Sequence, residues 1–182
     1  MKKLLAALAA ALVLSVPTQR TALARVERLT LSEMMQRCDS AVHGEIVARN
    51  VRFVAEPDGP GLYFTTLTVA GYSLCDKVAI TVDVTFPGGF LDAENGVFNS
   101  EAPSADDTAI GTRVVAFYKW IEDMGGGLAG NALYASHAGL FRTVEGPLGS
   151  VALGRGSDFA VSSNLRVASL ASAVRSLEAA GR

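Results

Sequence analysis

The sequence predicts a mostly-β fold: a small closed or half-open barrel of five to six short strands, with a short N-terminal helix and a C-terminal amphipathic helix. Three observations carry that reading. Residues 77–86 alternate strictly between apolar and polar side chains, the pattern of a strand with one face on a core and one in water. Several further short β-branched segments are separated by Gly, Pro, Asn and Asp. Helical spacing of apolar residues recurs only near 31–38 and 167–177. A sandwich built from the same strands is the alternative.

The chain has 182 residues, enough for one domain. Hydrophobic residues make up 49% and charged residues 19%, which excludes a solvated disordered chain. The formal net charge of −2 lacks the excess of cations that a polyanion-binding surface requires.

Residues 1–24 read as a signal peptide. Met1-Lys2-Lys3 is a positive start, and residues 4–16 form an apolar run. Pro17 follows, and Ala22-Leu23-Ala24 places small residues where a signal peptidase cuts. The run of 13 residues is short of the roughly 20 that a membrane-spanning helix needs. Cleavage after Ala24 is expected to leave no transmembrane anchor, and Cys38 lies too far on to be a lipoprotein cysteine. It removes Lys2, Lys3 and Arg20 and no acidic residue, leaving 13 basic and 18 acidic residues and a net charge of −5. The expectation is export to the periplasm or medium, with no nucleic-acid partner.

The mature chain then divides into a β-barrel domain over 25–160 and a helix over 161–182. Thr30 and Glu33 have capping-box spacing, and Leu31, Met34, Met35 and Cys38 share one helical face. The strand over 42–54 loses its alternation around Ala48–Asn50, which predicts a bulge or sharp bend. Asp58-Gly59-Pro60-Gly61 is a turn. The strand at 63–70 carries apolar or β-branched residues on both faces and is expected to be covered on both. In the strand over 77–86, Val78, Ile80, Val82, Val84 and Phe86 face the core, and Pro87-Gly88-Gly89 ends it.

Residues 90–111 are irregular and polar, the stretch where a compact domain carries a binding surface. Asp92, Glu94, Asn95, Asp106 and Asp107 are the candidate residues there. Another strand covers 113–121, and the last short strands are Leu133–Ala135 and Leu140–Val144. Finally, Val167, Leu170, Val174 and Leu177 make an apolar stripe, with Ser162, Ser163 or Asn164 as cap and Gly181 as stop.

In an oxidising compartment Cys38 and Cys75 are expected to form a disulfide. That bond closes a loop of about 37 residues, for which the chain-entropy model gives roughly 4 kcal/mol. Two unbonded thiols, or a reactive cysteine, are the alternatives.

Catalytic and cofactor motifs are sparse. His43 and His137 lack the spacing of a metal pair, and there is no GxSxG elbow. Residues 125–130 match GxGxxG, but the following Asn131-Ala132-Leu133-Tyr134 reads as a strand, whereas a dinucleotide site needs a helix there. The acidic residues of 92–107 lack EF-hand spacing. No catalytic residue, metal or cofactor is therefore assigned. Tyr63, Phe64, Tyr118 and Trp120 are either core or a stacking surface for a sugar or peptide.

Residues 38–47, Thr66-Leu67-Thr68-Val69, 82–89 with its Pro-Gly-Gly end, 111–117 and Gly139-Leu140-Phe141-Arg142 together resemble segments of uncharacterised exported bacterial domains. Those domains look like distant relatives of the OB-type barrel of tissue inhibitors of metalloproteinases and netrin-like modules. The resemblance covers about residues 29–145 and implies a five-stranded OB-like barrel with a binding role. The inhibitors chelate zinc through an N-terminal cysteine. Here the expected first residue is Arg25, so that contact does not carry over. The functional expectation is an exported noncatalytic binding or interaction module, not an enzyme, whose partner is another envelope or extracellular protein. A secreted hydrolase whose site assembles only in the fold, and a protease inhibitor, are the alternatives.

Overall fold

A computed structural model describes residues 27–56 and 59–181. The signal-peptide reading and part of the 58–61 turn lie outside them. Helix α1 spans Leu31–Arg37. Thr30 caps it in a full capping box: the Thr30 side chain accepts from the Glu33 N–H, and the Glu33 carboxylate accepts from the Thr30 N–H at 2.9 Å. Met34 and Met35 are buried.

The strands are β1 (Ser40–Val54), β2 (Leu62–Ser73), β3 (Ala79–Pro87), β4 (Gly89–Phe90), β5 (Gly96–Val97), β6 (Arg113–Ile121), β7 (Gly130–Leu133), β8 (Leu140–Gly146), β9 (Gly149–Ala152) and β10 (Leu165–Arg166). Five of them close a barrel in the order β1-β2-β3-β7-β6, and Ser40–Glu45 of β1 pair back onto Arg113–Tyr118 of β6. β3 and β7 run parallel, meeting at Thr85 and Ala132. This is a closed, OB-like five-stranded barrel. The remaining strands extend it outward as β6-β8-β9-β10, and β4 and β5 form a separate small hairpin.

The irregularity read in the first strand is a real register shift between Ile46 and Ala48. Gly44 and Gly71 face each other across β1 and β2, where a Cβ on either would strike the partner strand's backbone. Side chains larger than hydrogen would force these two strands apart.

β1, β6 and β8 separate two cores. The barrel interior holds Val42, Ile46, Leu67, Val84, Val114 and Tyr118 among others. The outer core holds Met34, Met35, Val115, Phe117, Phe141 and Leu170 among others, and covers the outside of β1 and β6. Phe117 and Phe141 meet edge to face with ring centroids 6.1 Å apart. Helix α2, Val167–Gly181, closes this layer with Val167, Leu170 and Val174 buried and Leu177 packed beside them.

Several expectations are corrected. Val78 precedes β3 and is 58% exposed; the inward row begins with the partly buried Ile80. The strand at 63–70 is covered on both faces only near Phe64, while Thr66 and Thr68 stay partly open. Ser162–Asn164 do not cap α2, because β10 intervenes; the Asn164 side-chain Oδ1 accepts from the Gly154 N–H instead.

Cys38 and Cys75 do not form the expected disulfide. Cys38 ends α1 with its Sγ buried 4.0 Å from Met35 Sδ. Cys75 Sγ lies 3.5 Å from Ser40 Oγ, and burial pushes its thiol pKa up. The same loop is already closed by the β1–β2 ladder and the bond from Leu74 N–H to Ala41 O at 2.8 Å. Spacing along the chain fixes neither the separation nor the aim of two Cβ atoms.

Candidate functional site

The polar segment after β3 folds over one end of the barrel and leaves a cavity of about 450 Å³ beneath it. Thr65 and Phe86, at the end of the barrel interior, form part of the lining. The chain turns over the rim at Gly88 and Gly89, both at positive φ, and a Cβ on Gly89 would strike Thr65 Oγ1. Thr65 Oγ1 donates to Gly88 O at 2.7 Å, holding the turn down.

The β4–β5 hairpin stands at this rim. Asp92 builds its tip: one carboxylate oxygen accepts from the N–H groups of Glu94 and Asn95 at 2.8 and 2.9 Å, and the Asn95 side chain reaches both oxygens. These bonds, led by that of Asn95, hold the Asp92 carboxyl below its usual pKa. Phe90, Leu91, Val97 and Phe98 flank the turn and are exposed, Phe98 by 79%. Downstream, Asn99 clips the loop to Pro87 O at 2.9 Å, and Thr108 donates to Ser104 O at 2.9 Å.

Two further groups enter from elsewhere in the chain. Arg155 pairs with Asp107 at 3.3 Å, donates to Leu140 O at 2.8 Å and lies 5.6 Å above the Phe141 ring. Burial lowers its pKa and Asp107 opposes that shift. His137 lines the cavity, and its backbone N–H donates to the Glu101 carbonyl at 3.0 Å. Burial, then the nearby Arg155, lowers the His137 pKa, favouring a neutral ring. The preceding Ala135 and Ser136 both hold left-handed φ, at 51° and 49°, and Ser136 Oγ is buried without a hydrogen-bond partner among the described residues. No hydrogen bond joins the His137 ring to a serine or carboxylate among the described residues.

Of the five candidate residues, only Asp107 lines the cavity. Asp92 and Asn95 are spent on the hairpin tip, Glu94 is exposed there, and Asp106 O accepts from Thr112 Oγ1 at 3.2 Å. His43 lies away from this site, on the outer face of β1, with Nε2 3.4 Å from Thr143 Oγ1. Its pKa is lowered by burial and then by Arg113. Gly130 opens strand β7, so the GxGxxG stretch does not lead into a helix. Among the described residues no group of three or more His, Cys, Asp or Glu is placed to hold a metal ion, and no helix is long and apolar enough to cross a membrane.

Sequence reasoning missed Phe90, Leu91, Val97 and Phe98, although apolar pairs on both sides of an Asp-to-Asn turn are a hairpin signal. It also missed Arg155, which reaches Asp107 only through the fold. No protein-family model, curated protein or solved structure matches this chain.

Proposed function

We propose that the chain is an exported, noncatalytic binding module that holds another envelope or extracellular protein at the cavity under residues 88–112. One observation carries the reading: three exposed apolar side chains, Phe90, Val97 and Phe98, line a cleft at the barrel mouth, with the exposed Leu91 next in the chain. The segment 88–112 contains five acidic residues and no Lys or Arg. The fitting partner therefore presents an apolar hollow with a basic rim. Export rests on the signal-peptide pattern of residues 1–24.

The test is capture from envelope extract with the mature protein and with a Phe90→Asp/Phe98→Asp double variant. Both side chains are exposed, so the variant keeps its fold, checked by circular dichroism. The expected result is a partner held by the wild type, lost in the variant and weakened by salt. An identical set of captured proteins overturns the assignment.

A hydrolase is the second reading, favoured by His137 lining the cleft with Asp107 and Ser104. Ester turnover that disappears in His137→Ala would establish it. The inhibitor alternative, which comes from the resemblance, is tested by assaying the mature protein against a zinc metalloproteinase.

A further inference from the structure

A second groove, of about 590 Å³, lies on the side of the barrel and shares no lining residue with the first. It runs across β2 and β3 toward the ends of β6 and β7. Trp120 lines it and is 50% exposed. Of the four aromatic residues flagged in the sequence, Phe64 and Tyr118 are buried and Tyr63 packs on Phe53 at 5.1 Å. Trp120 is the one left presenting its ring.

That ring is held in place. The ring Nε1 donates to Glu122 at 3.2 Å, and the backbone beneath it is fixed by its N–H donating to Asp39 Oδ2 at 2.7 Å and by pairing with Asn131. The groove around it is polar. Thr68 Oγ1 donates to Asp83 Oδ1 at 2.6 Å, leaving the other carboxylate oxygen open. Asn131 donates to Asp83 O at 3.2 Å and keeps its own side-chain oxygen. The side chains of Arg52 and Asn50 line the groove without a hydrogen bond to another described residue, while their backbones pair in the β1–β2 ladder. Arg52 and Asp83 are its only charged lining residues, so it carries no net charge.

From this arrangement we infer that the groove binds a neutral oligosaccharide of hexose or N-acetylhexosamine units. The half-open indole supplies an apolar platform for the C–H face of a sugar ring. The planar guanidinium, carboxamides and carboxylate supply paired donors and acceptors for vicinal hydroxyls. The size lies within the range of small-ligand sites. A single-stranded nucleic acid also stacks on aromatics, but it needs a groove with excess positive charge, which this one lacks.

Trp120 is the only tryptophan in the chain, so its emission reports occupancy directly. The probes are maltohexaose, cellohexaose and N-acetylchitohexaose, with heparin and oligothymidine as polyanion controls. At least one neutral sugar is expected to shift the emission to the blue with a dissociation constant at or below about 1 mM. Arg52→Ala keeps the fluorophore and is expected to weaken that binding about tenfold. Trp120→Ala, read by calorimetry, abolishes it. Trp120→Phe retains part of it. No response to any of the three sugars overturns the inference, as does binding that ignores both Arg52→Ala and Trp120→Ala, or binding of the polyanions alone.

Discussion

The barrel interior and the outer core share strands but are held in different ways. Around the interior, every wall strand is hydrogen-bonded to the next and β1 returns to β6, so the wall is continuous. The outer core has that wall on one side only. Its other side is α1, α2 and the segment near Val161, joined to the barrel mainly by side chains, while β9 reaches the wall through its backbone ladder to β8. The contrast explains two sequence patterns. β6 is buried on both faces and reads as an unbroken apolar run from Val114 to Tyr118. β3 has water on one face and alternates.

The most severe break of this arrangement is expected at Phe117, which lies under both helices on the strand that closes the barrel. Phe117→Ala should cost about 3–5 kcal/mol, read by urea denaturation. Leu170→Ala should cost somewhat less, about 2–5 kcal/mol, and act on one side only. Hydrogen exchange would then speed up in α2 while the β1–β6 amides keep their protection. Equal acceleration in both would show that the two cores open as one unit.

A smaller effect is expected at the capping box, where Thr30→Ala removes the side-chain acceptor at the start of α1 for about 1 kcal/mol. The smallest concerns His43 at the edge of the outer core. Its folded pKa is depressed, so stability is complete above the ordinary value of 6.5 and declines as pH falls through it, because the unfolded chain takes the proton that the buried ring resists. His43→Gln should flatten that slope in chemical denaturation across this range. An unchanged slope would assign the pH dependence elsewhere, with His137 the next group of the same sign.

Features fixed by neighbours in sequence were readable before the structure. The Thr30/Glu33 box, the slip in β1, the alternation of β3 and the Val167–Leu170–Val174 stripe depend on residues a few positions apart. Val78 was misplaced because periodicity continues past the point where the strand ends. The candidate site was far less legible. The acidic residues of 92–107 drew attention through composition, yet most serve turns, and the exposed ring around the cleft is apolar. Asp107 with Arg155 is separated by 48 positions, and such pairs exist only once the fold is known. The cysteines fall in the same class.

β1 meets β6 across some 70 residues of chain, and this pairing has a cost in time. As the polypeptide is made, β1, β2 and β3 can assemble as a meander long before residue 113 appears. Until then both outer strands of that meander offer unsatisfied backbone to any passing chain. The vulnerable period for this protein is therefore the interval between the completion of β3 and the arrival of β6 and β7, and a chaperone that shields those two edges would raise its yield more than one that shields the helices.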